Sequence, residues 1–104
     1  MHVISVKLFH AAARRYPNQG IAIMDTYRVL RKATFTSPHA MRSVFPLLDN
    51  FKHKDKWWVI NIGGNHLRLI AFIQFIHNRM YAKHILNHAE YDKLWHQYQQ
   101  GIKK

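Results

Sequence analysis

Two apolar stretches joined by a pair of glycines constrain the fold of this chain most. Residues 57–62 (WWVINI) and 66–76 (HLRLIAFIQFI) are rich in β-branched and aromatic residues, and Gly63-Gly64 lies between them. Such residues favour strands, and a glycine pair between two strands is typical of a tight hairpin turn. The segment therefore predicts two neighbouring antiparallel strands.

One arginine, Arg68, interrupts the apolar residues of the second strand. Side chains alternate across a strand, so Arg68 lies on the face opposite the uniformly apolar one, and a guanidinium there needs a partner or a function. A two-residue turn pairs Asn61 with His66 and Val59 with Arg68. A turn longer by two residues keeps the same faces together. We therefore expect Asn61, His66 and Arg68 to line one patch.

The rest of the chain predicts a small α+β domain. Pro17 ends a first helix and Asn18 suits the N-cap of a second, while Ser37-Pro38 is typical of a helix start. The predicted elements are a strand over 2–6, helices over 7–16, 19–33 and 38–44, strands over 57–62, 66–76 and 80–86, and a final helix over 88–99. Residues 47–56 read as a polar connection. We expect one domain over residues 1–104, with two amino-terminal helices packed on an antiparallel sheet and a short carboxy-terminal helix.

Positive charge is the second constraint. Sixteen Lys and Arg residues stand against five Asp and Glu, which gives a net charge of +11. An excess of this size indicates a polyanionic partner: nucleic acid, an anionic membrane or an acidic protein. The alternative is a basic surface that serves only solubility. The basic residues are spread along the chain, which favours a folded basic face over a disordered tail.

Composition also excludes or disfavours several classes of protein. Cysteine is absent, so disulfides and thiolate chemistry are excluded. No apolar run reaches the ~18 residues of a membrane span, and the first ten residues lack the apolar core of a secretory signal. We therefore expect a cytoplasmic protein that does not bind a membrane.

The segment NHAEYDK, residues 87–93, is typical of a helix start. Asn87 and Glu90 have the spacing of a capping box. His88 and Tyr91 are then neighbours on the helix surface, at the end where free N–H groups and the helix dipole suit a phosphate. The alternative is that His88 and Tyr91 only pack the helix onto the sheet.

Metal chemistry has little support in the sequence. His84 and His88 are four residues apart, but they straddle the predicted junction between a strand and a helix. No cysteine is available, the HExxH spacing is absent, and the five acidic residues are scattered. We therefore expect neither a metal site nor a cofactor.

Taken together, the segments FPLLDNFK, GGNHLRLI and NHAEYDK closely resemble the HigB toxin family, which belongs to the RelE-like group of bacterial toxins. The resemblance extends over essentially the whole chain. It implies a RelE-like α+β ribonuclease that cuts messenger RNA, usually on the ribosome. It also implies a cognate HigA-like antitoxin, which binds operator DNA through a helix-turn-helix domain.

The same resemblance assigns site residues. Arg68 matches the arginine of the strand after the hairpin, and His88 and Tyr91 are the nearest matches to the histidine and tyrosine near the last helix. RelE carries a lysine pair in the strand before its arginine, where this chain has Val59 and Asn61. The lysines of this chain lie earlier, at Lys52, Lys54 and Lys56, so the general base is not identified.

These residues fit metal-free cleavage, in which the ribose 2′-OH attacks the adjacent phosphate. Arg68 can stabilise the charged phosphorane, His88 can act as base or acid, and Tyr91 can orient the phosphate or the base. Additional RNA contacts are expected from basic and polar residues: Lys52, Lys54, Lys56, Asn61, His66 and Lys83. The alternative function is a basic module that binds RNA or DNA without cutting it.

Overall fold

The computed structural model describes residues 1–101, so the last three residues of the predicted domain lie outside the described part. The described chain forms β1 (His2–Ile4), α1 (Val6–Arg15), a 3₁₀ turn (Pro17–Gln19), α2 (Gly20–Lys32), α3 (Pro38–Arg42), β2 (Asp49–Asn50), β3 (Trp57–Ile62), β4 (Leu67–Gln74), β5 (Arg79–Asn87) and α4 (His88–Gln99).

The strands form a single open sheet in the order β1-β5-β4-β3-β2. Strands β2 to β5 pair antiparallel with their neighbours, whereas β1 pairs parallel with β5. The predicted α+β class is therefore confirmed, with one parallel edge strand added to a mostly antiparallel sheet. The parallel pairing is possible because α1, α2 and the central strands separate β1 from β5 along the chain.

One face of the sheet forms the main core with α1 and α2. Phe9 of α1 and Ile23 and Leu30 of α2 are fully buried in one cluster with Ile60 of β3. Tyr27 lies on the same side of α2 as Ile23 and Leu30, and its ring centre is 5.2 Å from that of Phe9. Burial of each large apolar side chain contributes roughly 1.5–3 kcal/mol, so this face fixes the two amino-terminal helices.

The opposite face is covered in its middle by α4. Leu94 of α4 is buried in a second cluster with Phe51, Val59 and Ile70, and further aromatic side chains of α4 pack around it. Arg68 precedes Ile70 by two residues on β4 and so lies on this same face. The arginine is half-buried, at the end of the face where α4 begins.

The hairpin between β3 and β4 has a longer turn than expected, and the predicted two-residue turn is wrong. The turn spans residues 63–66, so Asn61 pairs with Arg68 rather than with His66. An amide hydrogen bond of 3.2 Å from Asn61 Nδ2 to Asn65 Oδ1 closes the wider turn. Because the shift is two residues, Asn61 and Arg68 stay on the predicted face.

Other element bounds also differ from the prediction: α1 covers Val6–Arg15 rather than 7–16, α3 ends at Arg42 rather than at residue 44, β4 covers Leu67–Gln74 rather than 66–76, and β5 covers Arg79–Asn87 rather than 80–86. Three further differences have a visible structural cause. The first strand ends at Ile4, because Ser5 adopts a positive φ of 81° and α1 begins directly after it. Pro17 starts a 3₁₀ turn, so α2 begins at Gly20 and its N-cap is Gln19 rather than Asn18. The predicted polar connection contains β2, whose two residues pair with the edge of β3.

Length and hydropathy of the helices bear on membrane insertion. Among residues 1–101, none of the helices combines the length and the apolar character needed to cross a bilayer.

Candidate active site

The direct junction between β5 and α4 brings His88 to Arg68. Arg68 is the second residue of β4 and pairs with Leu86 of β5. One residue after Leu86, β5 ends at Asn87, and α4 begins at His88 without a connecting loop. The chain therefore places the first turn of α4 beside the guanidinium of Arg68.

A hydrogen bond joins Arg68 and His88. The distance between Arg68 Nη1 and His88 Nδ1 is 2.6 Å. A guanidinium only donates, so Nδ1 accepts and the ring proton of the neutral imidazole lies on Nε2. That nitrogen is 3.6 Å from Asp92 Oδ2, which is longer than a hydrogen bond. The lone pair of Nδ1 is thus held by the same guanidinium that could bind a phosphate.

Tyr91 also contacts Arg68. The guanidinium carbon is 4.8 Å from the centre of the Tyr91 ring, a cation–π contact. Burial raises the pKa of Tyr91, although the positive charge of Arg68 opposes the shift. The tyrosine hydroxyl therefore stays protonated near neutral pH and can donate to a phosphate or to a leaving oxygen.

The start of α4 is capped as predicted. Asn87 Oδ1 accepts from the backbone N–H of Glu90 at 2.9 Å, and Glu90 Oε1 accepts from the N–H of Asn87 at 3.1 Å. This confirms the capping box. It also fixes the backbone on both sides of His88. His88 and Tyr91 are the two α4 residues whose side chains contact Arg68.

Two predicted RNA-binding residues lie at the same end of the sheet. Asn61 pairs directly with Arg68, and His66 is exposed in the hairpin turn immediately before β4. Lys83 lies farther along β5, at an irregularity in the β4–β5 pairing that leaves it opposite no β4 residue. The Lys83 ammonium is exposed and 5.9 Å from the centre of the Tyr81 ring.

The three remaining lysines lie at the other end of β3. Lys52, Lys54 and Lys56 line a cleft of about 660 Å³ together with Trp57. From Trp57 to Asn61, four residues of strand span roughly 13 Å. The structure therefore does not bring these lysines next to Arg68. The Lys54 ammonium instead lies 5.6 Å from the centre of the Trp57 ring.

Two acidic residues near the site were not predicted. Asp92 approaches His88 within one helical turn, and Asp49 of β2 is close enough to raise the pKa of Tyr91 further, after the effect of burial. The spacing of four residues between His88 and Asp92 was a signal available in the sequence. The sequence contained no comparable signal for Asp49, because the position of Asp49 depends on the pairing of β2 with β3.

The histidine and acidic side chains of residues 1–101 do not form a metal-binding group. Among residues 1–101, no three histidine or acidic side chains lie close enough together to hold one. His84 belongs to β5 and His88 to α4. What the arrangement offers instead is one fixed positive charge, one imidazole and one protonated phenol around a partly open surface. These are groups that can bind a phosphodiester and move protons at it.

Comparison with known proteins gives a consistent result. A sequence model of the HigB toxin family, described as the RelE-like toxic component of a toxin-antitoxin system, matches residues 19–94. An mRNA interferase HigB of Escherichia coli O6:H1 (strain CFT073) is 50% identical over 101 residues, which cover 97% of this chain and 98% of that protein. The mRNA interferase toxin HigB of Escherichia coli strain K12 and an mRNA interferase HigB of Shigella flexneri are each 38% identical over 92 residues, 88% of either chain.

The matched span contains the hairpin, the arginine of β4 and the first turn of α4. The fold described above is the α+β fold that the resemblance implied. From the extent of these matches, the chain belongs to the HigB family, the RelE-like toxic components of toxin–antitoxin systems.

Proposed function

We propose that this chain is a toxin that cuts messenger RNA as a metal-independent endoribonuclease, with Arg68, His88 and Tyr91 as its catalytic residues. The observation that carries the assignment is the contact of the Arg68 guanidinium with both the His88 imidazole and the Tyr91 ring. The names of the relatives, mRNA interferases, support the substrate class. The domain is taken to extend over residues 1–104.

In the proposed reaction, a phosphodiester of the RNA binds Arg68. The guanidinium has five N–H donors, and its charge stabilises the negative charge that develops on the phosphorane. The ribose 2′-oxygen attacks phosphorus, the bond to the 5′-oxygen breaks, and the products are a 2′,3′-cyclic phosphate and a 5′-hydroxyl. Removal of one such electrostatic donor typically slows a reaction by about 10²–10³-fold.

His88 is the base of this scheme. Its Nδ1 lone pair is held by Arg68 in the free protein and becomes available when the guanidinium turns to the phosphate. Nδ1 then accepts the 2′-OH proton. The raised pKa of Tyr91, caused by burial, supports a phenol that donates its proton to the departing 5′-oxygen. Transfer of the proton from His88 back to Tyr91, through water, restores both groups.

The partners follow from family and charge. A toxin of this family has an antitoxin, and we assign it to the HigA-like class, with a helix-turn-helix domain that binds operator DNA. The ribosome is the proposed site of cleavage, which places the protein in the cytoplasm. The net charge of +11 supports binding to RNA and to an acidic antitoxin surface. Lys52, Lys54 and Lys56 are assigned to the RNA backbone away from the cut.

The test maps RNA 5′ ends after the chain is expressed without its antitoxin. New 5′-hydroxyl ends are expected with the wild type and with Arg79→Ala, which removes an exposed arginine from the far end of β5. Arg68→Ala should cut at least about 10²-fold more slowly. Arg68→Lys should recover little of the lost rate, because an ammonium cannot bind two oxygens in the same geometry.

Two outcomes contradict the proposal. Wild-type protein that binds RNA and produces no new ends is a binding module and not a nuclease. A folded Arg68→Ala variant that cuts at the wild-type rate removes the arginine from the catalytic group.

A further inference from the structure

Two of the three proposed catalytic side chains lie on one helical turn. His88 and Tyr91 are both in the first turn of α4, whereas Arg68 is on β4. The reaction therefore requires that this turn keep its position relative to the sheet. Misplacement of a reacting group by 1 Å can cost about 10²-fold in rate.

Most of the buried contacts of α4 lie beyond its first turn. Leu94 is buried against β3 and β4, and Tyr91, Trp95 and Tyr98 pack around it. Leu94 follows His88 by six residues, more than one and a half turns. These contacts set the axis of α4, and Tyr91 is the residue of the first turn that takes part in them.

A second set of contacts fixes the first turn of α4 itself. The Glu90 carboxylate accepts hydrogen bonds from the Tyr16 hydroxyl and from the Arg15 guanidinium. It also accepts from the N–H of Asn87 at 3.1 Å within the capping box. One side chain therefore ties the turn to itself and to the end of α1. We call the contacts of Glu90 with Tyr16 and Arg15 the Glu90 bridge.

The α1 side of the Glu90 bridge is firmly placed. Phe9 and Ala12 of α1 are buried in the main core, and Tyr16 packs against the same cluster. The Arg15 guanidinium carbon is 5.0 Å from the centre of the Tyr16 ring, so the two donors also contact each other. The bridge thus connects α4 to an element held by the opposite face of the sheet.

The bridge and the catalytic contacts act on different sides of α4. Successive residues of a helix are about 100° apart around its axis. Glu90 faces α1, while Tyr91, the next residue, faces Arg68. Contacts on two sides oppose rotation of the turn, which contacts on one side alone do not.

We propose that Glu90 is a positioning residue, which holds His88 and Tyr91 at Arg68 through its bonds to Tyr16 and Arg15. The role of these side chains in the rate rests on the proposed function, whereas their placement by Glu90 does not. Glu90 itself has no contact with Arg68 or with the place proposed for the phosphate.

The first experiment measures single-turnover cleavage of a defined mRNA bound to purified ribosomes. Glu90→Ala should lower the cleavage rate at saturation by about 10-fold or more and change the half-saturating concentration less than twofold. Glu90→Gln should keep most of the rate, because its amide oxygen can still accept from Asn87 and Tyr16. Tyr16→Phe removes one bond and should fall between them.

The matched control is Asp25→Ala, which breaks an exposed ion pair with Arg28 on α2. Like Glu90→Ala, this substitution removes a carboxylate and its contact with an arginine, but Asp25 is remote from α4. Its cleavage rate should equal that of the wild type. Circular dichroism at the assay temperature must show all variants folded, so that a lower rate reports placement of the turn.

The second experiment needs no RNA. The His88 ring signals are assigned in a carbon-correlated NMR spectrum by comparison with His88→Asn. Glu90→Ala should shift them, while Glu90→Gln and Asp25→Ala should leave them in place. Unshifted His88 signals in folded Glu90→Ala overturn the proposal. A wild type that cuts no RNA overturns the proposed function instead, and the NMR result then decides the positioning role alone.

Discussion

At the scale of single residues, His88 and Tyr91 of α4 contact different atoms of the Arg68 guanidinium. One of its N–H groups donates to His88, and the guanidinium carbon lies 4.8 Å from the centre of the Tyr91 ring. Both neighbours leave other N–H groups of the guanidinium available to a ligand. The contact with Tyr91 restrains the guanidinium before RNA arrives, whereas in the proposed reaction its bond to His88 breaks when the phosphate binds.

Tyr91→Phe separates the roles of the ring and the hydroxyl. The phenyl ring should keep its contact with Arg68 and its packing against Phe51, so the melting temperature should change little. Because the hydroxyl is the proposed proton donor, single-turnover cleavage should fall by about 10²-fold. Tyr98→Phe, on the same helix and in the same cluster, is the control. Equal rates for the two variants would remove the hydroxyl from the mechanism.

Residue-level prediction succeeded where position along the chain determines position in space. Arg68 and His88 meet because β5 pairs with β4 and continues directly into α4, an order that the sequence predicted. Asp92 follows from helical spacing and could have been found in the same way. Asp49 could not, because its approach to Tyr91 depends on the register of a strand that has no apolar alternation.

At the scale of elements, α4 and the hairpin are the parts that assemble the site. The bounds of α4 were predicted to the residue because the capping box marks its start, and those of β3 because apolar residues run up to the glycines. β2 was missed, since Asp and Asn disfavour strands and only pairing with β3 makes this segment extended. The length of the hairpin turn depended on side-chain bonds that residue type alone does not reveal.

The Glu90 bridge should make the stability of the fold depend on acid pH. Burial raises the pKa of Glu90, but hydrogen bonds from Tyr16, Asn87 and Arg15 outweigh it, and the net pKa is lowered. A carboxyl with a lowered folded-state pKa stabilises the fold above its unfolded-state pKa, about 4.3, and this stabilisation is lost as pH falls through the folded-state pKa. Urea unfolding between about pH 7 and pH 3 measures the effect.

The comparison that isolates Glu90 is with Glu90→Gln. The variant has no carboxyl to titrate at this position, so its free energy of unfolding should fall less steeply in the acid range. The other acidic residues titrate in both proteins and cancel in the difference. Identical pH profiles would show that the bonds of Glu90 are as strong in its protonated form.

Gly63 and Gly64 offer a matched pair for the hairpin turn. Both have a positive φ, 62° and 69°, a conformation that costs other residues roughly 1–2 kcal/mol. A Cβ at Gly63 would lie 2.3 Å from Gln19 Oε1, whereas a Cβ at Gly64 would have open space. Gly63→Ala should therefore destabilise the fold more than Gly64→Ala, by about 0.5 kcal/mol or more.

Chemical denaturation measures both glycine variants. The Gln19→Ala background should reduce the excess cost of Gly63→Ala, because the obstructing side chain is then gone. An equal cost of the two glycine variants would mean that Gln19 moves aside freely, and the turn would then be held by its backbone conformation alone.

At the scale of the whole molecule, charge dominates the encounter with partners. A net charge of +11 on 104 residues attracts polyanions such as RNA, and would attract the acidic antitoxin surface proposed above, over distances set by ionic strength. Screening shortens that distance from about 10 Å at 0.1 M salt to about 3 Å at 1 M. The rate of antitoxin association, followed by stopped-flow fluorescence, should therefore fall as salt rises.

The dissociation rate should depend much less on salt, because buried apolar contacts usually hold a complex once it has formed. An association rate that is unchanged between about 0.1 M and 1 M salt would show that charge does not steer the encounter. The antitoxin would then find its surface by shape and apolar contact.

The order of the strands has a further consequence for a protein with so apolar a sheet. The two outermost strands are the shortest, three residues in β1 and two in β2, while the longest strands lie inside. An exposed strand edge is a template on which a second chain can add a strand, and this is how many sheets begin to aggregate. Within the described part of the chain, β1 pairs only with Arg79–Tyr81 and β2 only with Trp58 and Val59, so residues 82–87 of β5 and 60–62 of β3 have no strand partner on their outer sides. These outer sides of β5 and β3 are therefore the edges of the sheet to which a strand from another chain can add.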